Sequence, residues 1–215
     1  MGRTARGARR ERSKEQVSPA RDRIMAATRD LLTRGRYSEL SVAAILAASG
    51  TAKGSFYFYF ESKEDLLEAL VSDAVAAGLG AAQTWTDPST ASDPVQALRD
   101  GAAAGARLWR EEAPVLRAIV EARGTDATLD EFWREQMEQF SLAALARLEG
   151  DDEAAVWLDG RDPRPVVTSL TWLGERVYYL AATQTAPFDD EQVVVDVLAD
   201  MWALALYGRR STAEP

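Results

Sequence analysis

Apolar side chains recur along this chain at three- and four-residue intervals and almost nowhere in strict alternation. That period belongs to helices packed by one face, so the chain reads as all-α, with about nine helices. The first opens at Ser18, an N-cap with Pro19 in the first helical position, ends near Gly35, and buries Ile24, Ala27, Leu31 and Leu32. Tyr37 and Leu40 lead into a short second helix over about 41–48, capped by Ser41, with Val42, Ile45, Leu46 and Ala48 apolar. Ser49-Gly50-Thr51 breaks it, and a third short helix covers about 52–58. Ser62–Asp65 caps a fourth, which carries Leu66, Leu67, Leu70, Val71 and Val75 until Gly78 and Gly80 weaken it.

Thr84–Pro94, with two prolines among turn formers, is the clearest linker. A fifth helix starts at Asp93-Pro94 and reaches about Glu112, and a sixth follows Pro114 to about Arg123. Thr128–Glu131 reads as a capping box opening a seventh helix to about Leu148, followed by an acidic loop or partly helical stretch, Gly150–Asp162. The eighth (about 164–184) and ninth (about Asp189–Tyr207) carry broad apolar faces. Val166, Val167, Leu170, Leu173, Val177 and Leu180 lie on one; Val193, Val194, Val197, Leu198, Met201, Leu204 and Leu206 lie on the other. So much apolar surface on two helices predicts a homodimer through this pair, the alternative being a core kept wholly within one chain. Domain bounds follow: a basic arm expected to be disordered at 1–17, a small head at 18–64 and a larger body at 65–210.

Charge sharpens that division. The chain carries a net −9, yet residues 1–63 hold thirteen basic against six acidic side chains, so the head is +7 and the remainder −16. A basic head on an acidic body suits a protein whose head alone meets phosphate, although the arm by itself supplies +4. The chain has no cysteine and no histidine. Disulfides, thiolate chemistry and zinc-finger ligation are thereby excluded, and the commonest general base and metal ligand are missing. We expect no catalytic residues, metal or cofactor. No stretch approaches ~18 consecutive apolar residues and the basic N-terminus lacks an apolar core after it, so neither a membrane span nor a signal peptide is expected. A cytoplasmic protein is the expectation.

Two short helices around a glycine turn make a helix-turn-helix, whose second helix enters the DNA major groove. Ser41, at a helix N-terminus, can hold a phosphate through its hydroxyl and the free backbone amides. Ala52, Lys53, Gly54 and Ser55 open the second helix nearest the base edges, with Lys53 suited to guanine and Ser55 to a base or a phosphate. Five consecutive aromatics, Phe56–Phe60, follow. Phe56 and Phe60 are expected in the core of the head.

Gly50, then Tyr57 with Phe60 and Ser62-Lys63 at fixed spacing after it, closely resembles the DNA-binding domain of the TetR family of bacterial repressors over residues 20–70. The resemblance implies that Tyr57 touches the DNA backbone or a base, that Tyr59 points to DNA and that Lys63 binds phosphate. It also implies that two heads, brought together by the last two helices, meet successive major grooves of a palindromic operator. Minor-groove insertion by Arg9, Arg10 or Arg12 is a further expectation.

The body holds Trp109, Trp133, Trp157, Trp172 and Trp202, together with Met137, Phe140, Tyr178 and Tyr179, an aromatic-rich set suited to an apolar pocket. Gly101–Ala106 offers almost no side-chain volume, which either lets helices pack closely or leaves room for a ligand. Ser55–Lys63, Phe132-Trp133 with Met137, Gly174–Arg176, Met201-Trp202 and Tyr207-Gly208 resemble the mycobacterial ethionamide-resistance repressor branch of the family. That branch implies a long apolar tunnel lined here by Leu98, Ala102, Gly105, Trp109, Trp133, Met137, Phe140, Thr171, Gly174, Tyr178, Tyr179 and Trp202. Gly174 departs from an asparagine able to hydrogen-bond a ligand, and Ala102 and Gly105 replace bulkier groups, which could widen the tunnel. Glu175-Arg176 reads as an ion pair or a hydrogen-bonded node between helices. The clusters Asp151–Glu153 and Asp189–Glu191 read as solvated caps rather than cation sites.

The expected function is a DNA-binding repressor released by a small hydrophobic effector, with the fourth helix as the lever. An activator or a repressor that needs its ligand is the alternative within the fold, and a hydrophobic-ligand carrier or enzyme the alternative outside it.

Overall fold

The computed structural model describes residues 19–86, 93–209 and 211, residues 81–86 by backbone alone. The arm 1–17, Ser18 and positions 87–92 of the expected linker lie outside them. The described residues form ten α-helices and one turn of 3-10 helix, with no strand. In chain order the helices are α1 Pro19–Arg34, α2 Val42–Ser49, α3 Lys53–Tyr59, α4 Lys63–Thr86, α5 Pro94–Glu111, α6 Ala113–Ala122, α7 Ala127–Leu148, α8 Asp152–Leu158, α9 Pro163–Ala182 and α10 Glu191–Tyr207. The all-α expectation holds. The added helix, α8, lies in the stretch read as an acidic loop or partly helical, and settles it as partly helical.

The chain divides into two compact units that meet within α4, between Leu70 and Val71. In the first, α1 packs on α2 and α3. Ile24, Ile45, Phe56 and Leu66 are fully buried there, joined by Phe60 and Leu70. On α1 the buried face is Ile24, Met25, Thr28 and Leu32, with Ala27 and Leu31 only half-buried. Ser41 caps α2 by accepting the Ala44 N–H at 3.2 Å. Gly50 ends α2 at φ 61°, ψ 29°, a left-handed backbone that costs an L-residue with a Cβ ~1–2 kcal/mol. Ser62 caps α4, accepting the N–H groups of Glu64 (3.1 Å) and Asp65 (3.2 Å), while Asp65 reaches back to the Glu61 N–H at 2.7 Å.

In the second unit α9 is central, packed against α5, α6, α7 and α10, and α5 lies along α10. One core gathers Leu98, Val167, Leu170 and Leu206; another joins Ala106, Val177, Val194 and Leu198. Gly78 and Gly80, expected to weaken α4, lie within it; a side chain on Gly78 would lie 2.8 Å from Leu108 Cδ2 and 3.2 Å from Phe140 Cζ, so the glycine allows close packing. One local expectation changes. Asp126, not Thr128, caps α7, accepting from the N–H of Thr128 (2.9 Å) and of Leu129 (3.0 Å). Asp151 and Asp190 cap α8 and α10. No cluster of residues able to hold a metal ion occurs among the described residues.

Candidate functional sites

The helix-turn-helix presents one open face. Along α3, Lys53, Gly54, Tyr57 and Phe58 are exposed, the i, i+1, i+4, i+5 spacing that lies on one side of a helix. Tyr57 and Phe58 are 44% and 43% exposed, unusual for large aromatics in a small unit. The Lys53 ammonium lies 5.9 Å from the Tyr57 ring centroid, so charge and ring share one surface. A side chain on Gly54 would meet nothing within 4 Å, and Ala52 is exposed beside it. This end of α3 is therefore a low, open rim. Phe56 turns the other way and is fully buried, stacked edge-on against Tyr57 at 5.3 Å.

The remaining head residues divide. Ser41 is exposed, but its oxygen already serves the α2 cap. Ser55 and Tyr59 are half-buried. Lys63 donates to the Leu40 carbonyl at 3.2 Å and lies 4.5 Å from the Tyr37 ring centroid, so its charge is partly used within the head. Phe58 was missed from sequence; counting four and five residues on from Lys53 and Gly54 would have found it.

The second site is a cavity of about 180 Å³ between α4, α5, α7, α9 and α10. Of the twelve residues expected around a pocket, ten line it: Leu98, Ala102, Gly105, Trp109, Met137, Phe140, Thr171, Gly174, Tyr178 and Trp202. Trp133 and Tyr179 do not. Trp133 is buried and donates its indole N–H to Glu175 at 3.4 Å, while Tyr179 is half-buried with the Arg176 guanidinium 5.1 Å from its ring. Sequence reasoning missed Gly78, Gly101, Leu108, Ala143, Ala144, Leu170, Glu175 and Leu198. Most are small or aliphatic residues, whose type carries no signal apart from position.

The small residues of α5 do not simply leave room. The Tyr178 ring occupies the space over Gly105, where an added Cβ would lie 2.4 Å from the phenol oxygen. Its hydroxyl donates to the Ala102 carbonyl at 3.0 Å, and its ring stacks on Trp109 at 6.1 Å. Burial pushes the Tyr178 phenol well above its ordinary value, so the hydroxyl remains a donor. The cavity is small, near the ~150 Å³ that holds a benzene-sized guest and below the ~300 Å³ at which drug-sized sites begin.

Polar groups on the wall are few. The Thr171 hydroxyl donates to the Val167 carbonyl (3.0 Å) and pairs with Ser141 Oγ (3.1 Å). Glu175 is the ionisable carboxyl among them: burial raises its pKa against the opposing pull of Arg176, Trp133 and Arg123. The expected Glu175–Arg176 ion pair is present at 3.9 Å with the Arg176 side chain 55% exposed, and the hydrogen bond between helices runs from Trp133 on α7 to Glu175.

Comparison with known proteins accounts for both units. Residues 24–70 match the family model of bacterial regulatory proteins of the tetR family. Residues 98–208, more than half of the chain, match that of the transcriptional regulator EthR C-terminal domain. The chain belongs to the TetR family, in its EthR branch. Among relatives of this EthR-type regulator is an HTH-type transcriptional regulator EthR of Mycolicibacterium smegmatis, 26% identical over 209 residues, covering 95% of this chain and 96% of that one. The protein of that name from Mycobacterium tuberculosis is 25% identical over 185 residues, 86% of each chain. Two solved structures share the fold: the fatty acid degradation regulator FadR of Bacillus halodurans (TM-score 0.72, 18% identity, 91% of this chain and 99% of that one) and GusR of Salmonella enterica (TM-score 0.70, 19% identity, 87% and 95%). The relatives are transcriptional regulators rather than enzymes, and no helix among the described residues is long and apolar enough to cross a membrane.

Proposed function

We propose that this TetR-family regulator is a homodimeric repressor that binds a palindromic operator in the cytoplasm and is released by a small apolar effector in the body cavity. The observation that carries the reading is the exposed Lys53–Gly54–Tyr57–Phe58 face on α3 within the segment matched to the family's DNA-binding domain. Lys53 supplies charge for a phosphate or a guanine edge; Tyr57 and Phe58 pack against sugar or thymine methyl; Gly54 and Ala52 allow close approach. Ser55, Tyr59 and Lys63 complete the assigned DNA contacts from half-buried positions, and Ser41 from an exposed one at the α2 cap.

A dimer is supported by α10. Val167, Leu170, Val177, Val194, Leu198 and Leu206 are buried within one chain, so half of the apolar surface read as interface is used internally. Of the seven that remain, Val166, Leu173, Leu180, Val193 and Val197 are half-buried, and Met201 (46%) and Leu204 (39%) are exposed; Val197, Met201 and Leu204 fall at i, i+4 and i+7 on α10. An open apolar stripe at helical spacing suits a self-complementary two-fold contact. Two heads on one dimer then read two half-sites.

Release follows from differential binding: an effector that favours one arrangement of the heads weakens affinity for DNA that requires another. Selection of DNA from a random pool by the full chain, followed by footprinting, tests the core of the reading. A palindromic footprint supports it; retention of no sequence at low salt would overturn it. Gel shifts with a cavity-binding compound decide the sign, since tighter DNA binding would favour the ligand-requiring alternative. Deleting residues 1–17 tests the arginine arm, and an unchanged salt slope would end that idea.

A further inference from the structure

Among the residues lining the cavity, Glu175 alone carries a charge. Its side chain is 3% exposed, yet its pairing is weak. The Trp133 indole N–H donates at 3.4 Å, and the guanidinium groups of Arg123 and Arg176 stand 3.8 Å and 3.9 Å away. Charge-assisted hydrogen bonds ordinarily close to ~2.7–2.9 Å, so neither arginine makes one. Both are committed elsewhere. Arg123 donates to Asp130 at 3.0 Å and lies 4.8 Å from the Trp172 ring centroid; Arg176 is more than half exposed, over Tyr179. A buried carboxylate offers about four acceptor sites and here holds one long bond. The hydroxyls of the wall, on Tyr178 and Thr171, already spend their protons on the Ala102 and Val167 carbonyls.

We propose that Glu175 is the polar anchor of the cavity and selects a compact apolar ligand bearing a donor nitrogen, a primary amine above all, against carboxylic acids. This rests on the reading of the cavity as the effector site and names the class of effector. The positive charge of Arg123 does not oppose an amine, because Asp130 already neutralises it. An anionic head would instead face a carboxylate, its two nearest guanidinium groups already shared with Glu175 at 3.8 Å and 3.9 Å, inside an apolar wall where the repulsion is poorly screened. The volume of about 180 Å³ holds a chain of roughly six carbons or a single ring.

Isothermal titration of the full-length protein at pH 7 with hexylamine, methyl hexanoate and hexanoate tests the proposal. Hexylamine is expected to bind about tenfold tighter than methyl hexanoate, with no saturable binding of hexanoate. In Glu175→Gln the amine preference is expected to fall to within about twofold while methyl hexanoate is unchanged. Equal affinities for all three, or an amine preference that survives Glu175→Gln, overturns the anchor and leaves the cavity reading standing. Saturable binding of none of them overturns both. If Glu175→Gln does not fold, the ranking in the parent protein decides alone, and an amine no better than the ester defeats the proposal.

Discussion

The hydroxyl of Tyr178 donates to the main-chain carbonyl of Ala102 at 3.0 Å, and to reach it the ring lies across the bare backbone of Gly105. The small-residue face of α5 is therefore a seat for an aromatic from α9. Tyr178 and Gly105 both line the cavity.

Gly105→Ala tests that seat. The new methyl would lie 2.4 Å from the Tyr178 oxygen and 2.7 Å from Cζ, so the ring must move and the Ala102 bond be lost. Overpacking of ~1–3 kcal/mol and the lost hydrogen bond (~1 kcal/mol), offset by ~1 kcal/mol of helix propensity, leave an expected net loss of ~1–3 kcal/mol in urea unfolding. Tyr178→Phe, which removes only the hydroxyl, is expected to lose ~1 kcal/mol. If Gly105→Ala matched the parent, Tyr178 would be free to swing aside without cost.

Two glycines of the head separate folding from DNA contact. Gly50 has open space around it but φ 61°, so Gly50→Ala is expected to cost ~1–2 kcal/mol through backbone strain alone. Gly54 is helical and also open, so Gly54→Ala should unfold no more easily, and up to ~1 kcal/mol less easily. If α3 lies in the groove, the same methyl weakens binding to the selected DNA. Undiminished affinity would move the contact face away from Gly54.

Lys53→Ala is expected to lower DNA affinity and to reduce the slope of log K against log salt by ~0.9, the share of one phosphate contact. A loss of affinity with the slope unchanged would mean that Lys53 reads a base edge without neutralising a phosphate.

The buried carboxyl gives a pH dependence of defined sign. Glu175 has a folded pKa raised above its ordinary 4.5, so between the two values the folded state binds more protons than the unfolded. Stability contributed by the neutral form is therefore complete below about 4.5 and declines as pH rises through the raised folded value. Glu175→Gln should lack this component and unfold at higher urea than the parent at pH 7, the gap closing on acidification. A gap that widened toward pH 4 would contradict the assignment.

Replacing Met201 and Leu204 together by arginine is expected to yield a folded monomer by light scattering, with DNA affinity reduced by more than tenfold, since each head then binds one half-site alone. A dimer of unchanged mass would place the interface elsewhere.

Several elements were legible because their causes are local. Ser41 and Ser62 cap the helices that follow them, and Gly50 marks the turn. The aromatic run divides by helical period into buried Phe56 and Phe60 and exposed Tyr57 and Phe58. Ten of the twelve positions expected around a pocket do meet at one cavity, because six of the lining residues on α5 and five on α9 follow single helical faces. The errors are of another kind. Asp126 outcompeted Thr128 as a cap. Trp133, an aromatic among aromatics in sequence, turned away from the cavity to Glu175.

The sequence by itself determined the all-α class, the helix-turn-helix and its family, and the absence of histidine and cysteine chemistry, because periodicity, caps and turn residues act over a few neighbours. Only the tertiary structure decided what fills the space over Gly105, which apolar residues of α9 and α10 are spent inside one chain, and that Glu175 borders a cavity with its neighbouring arginines engaged elsewhere. Those outcomes depend on which side chains from distant segments compete for one volume or one charge, and that competition is settled only when the helices pack.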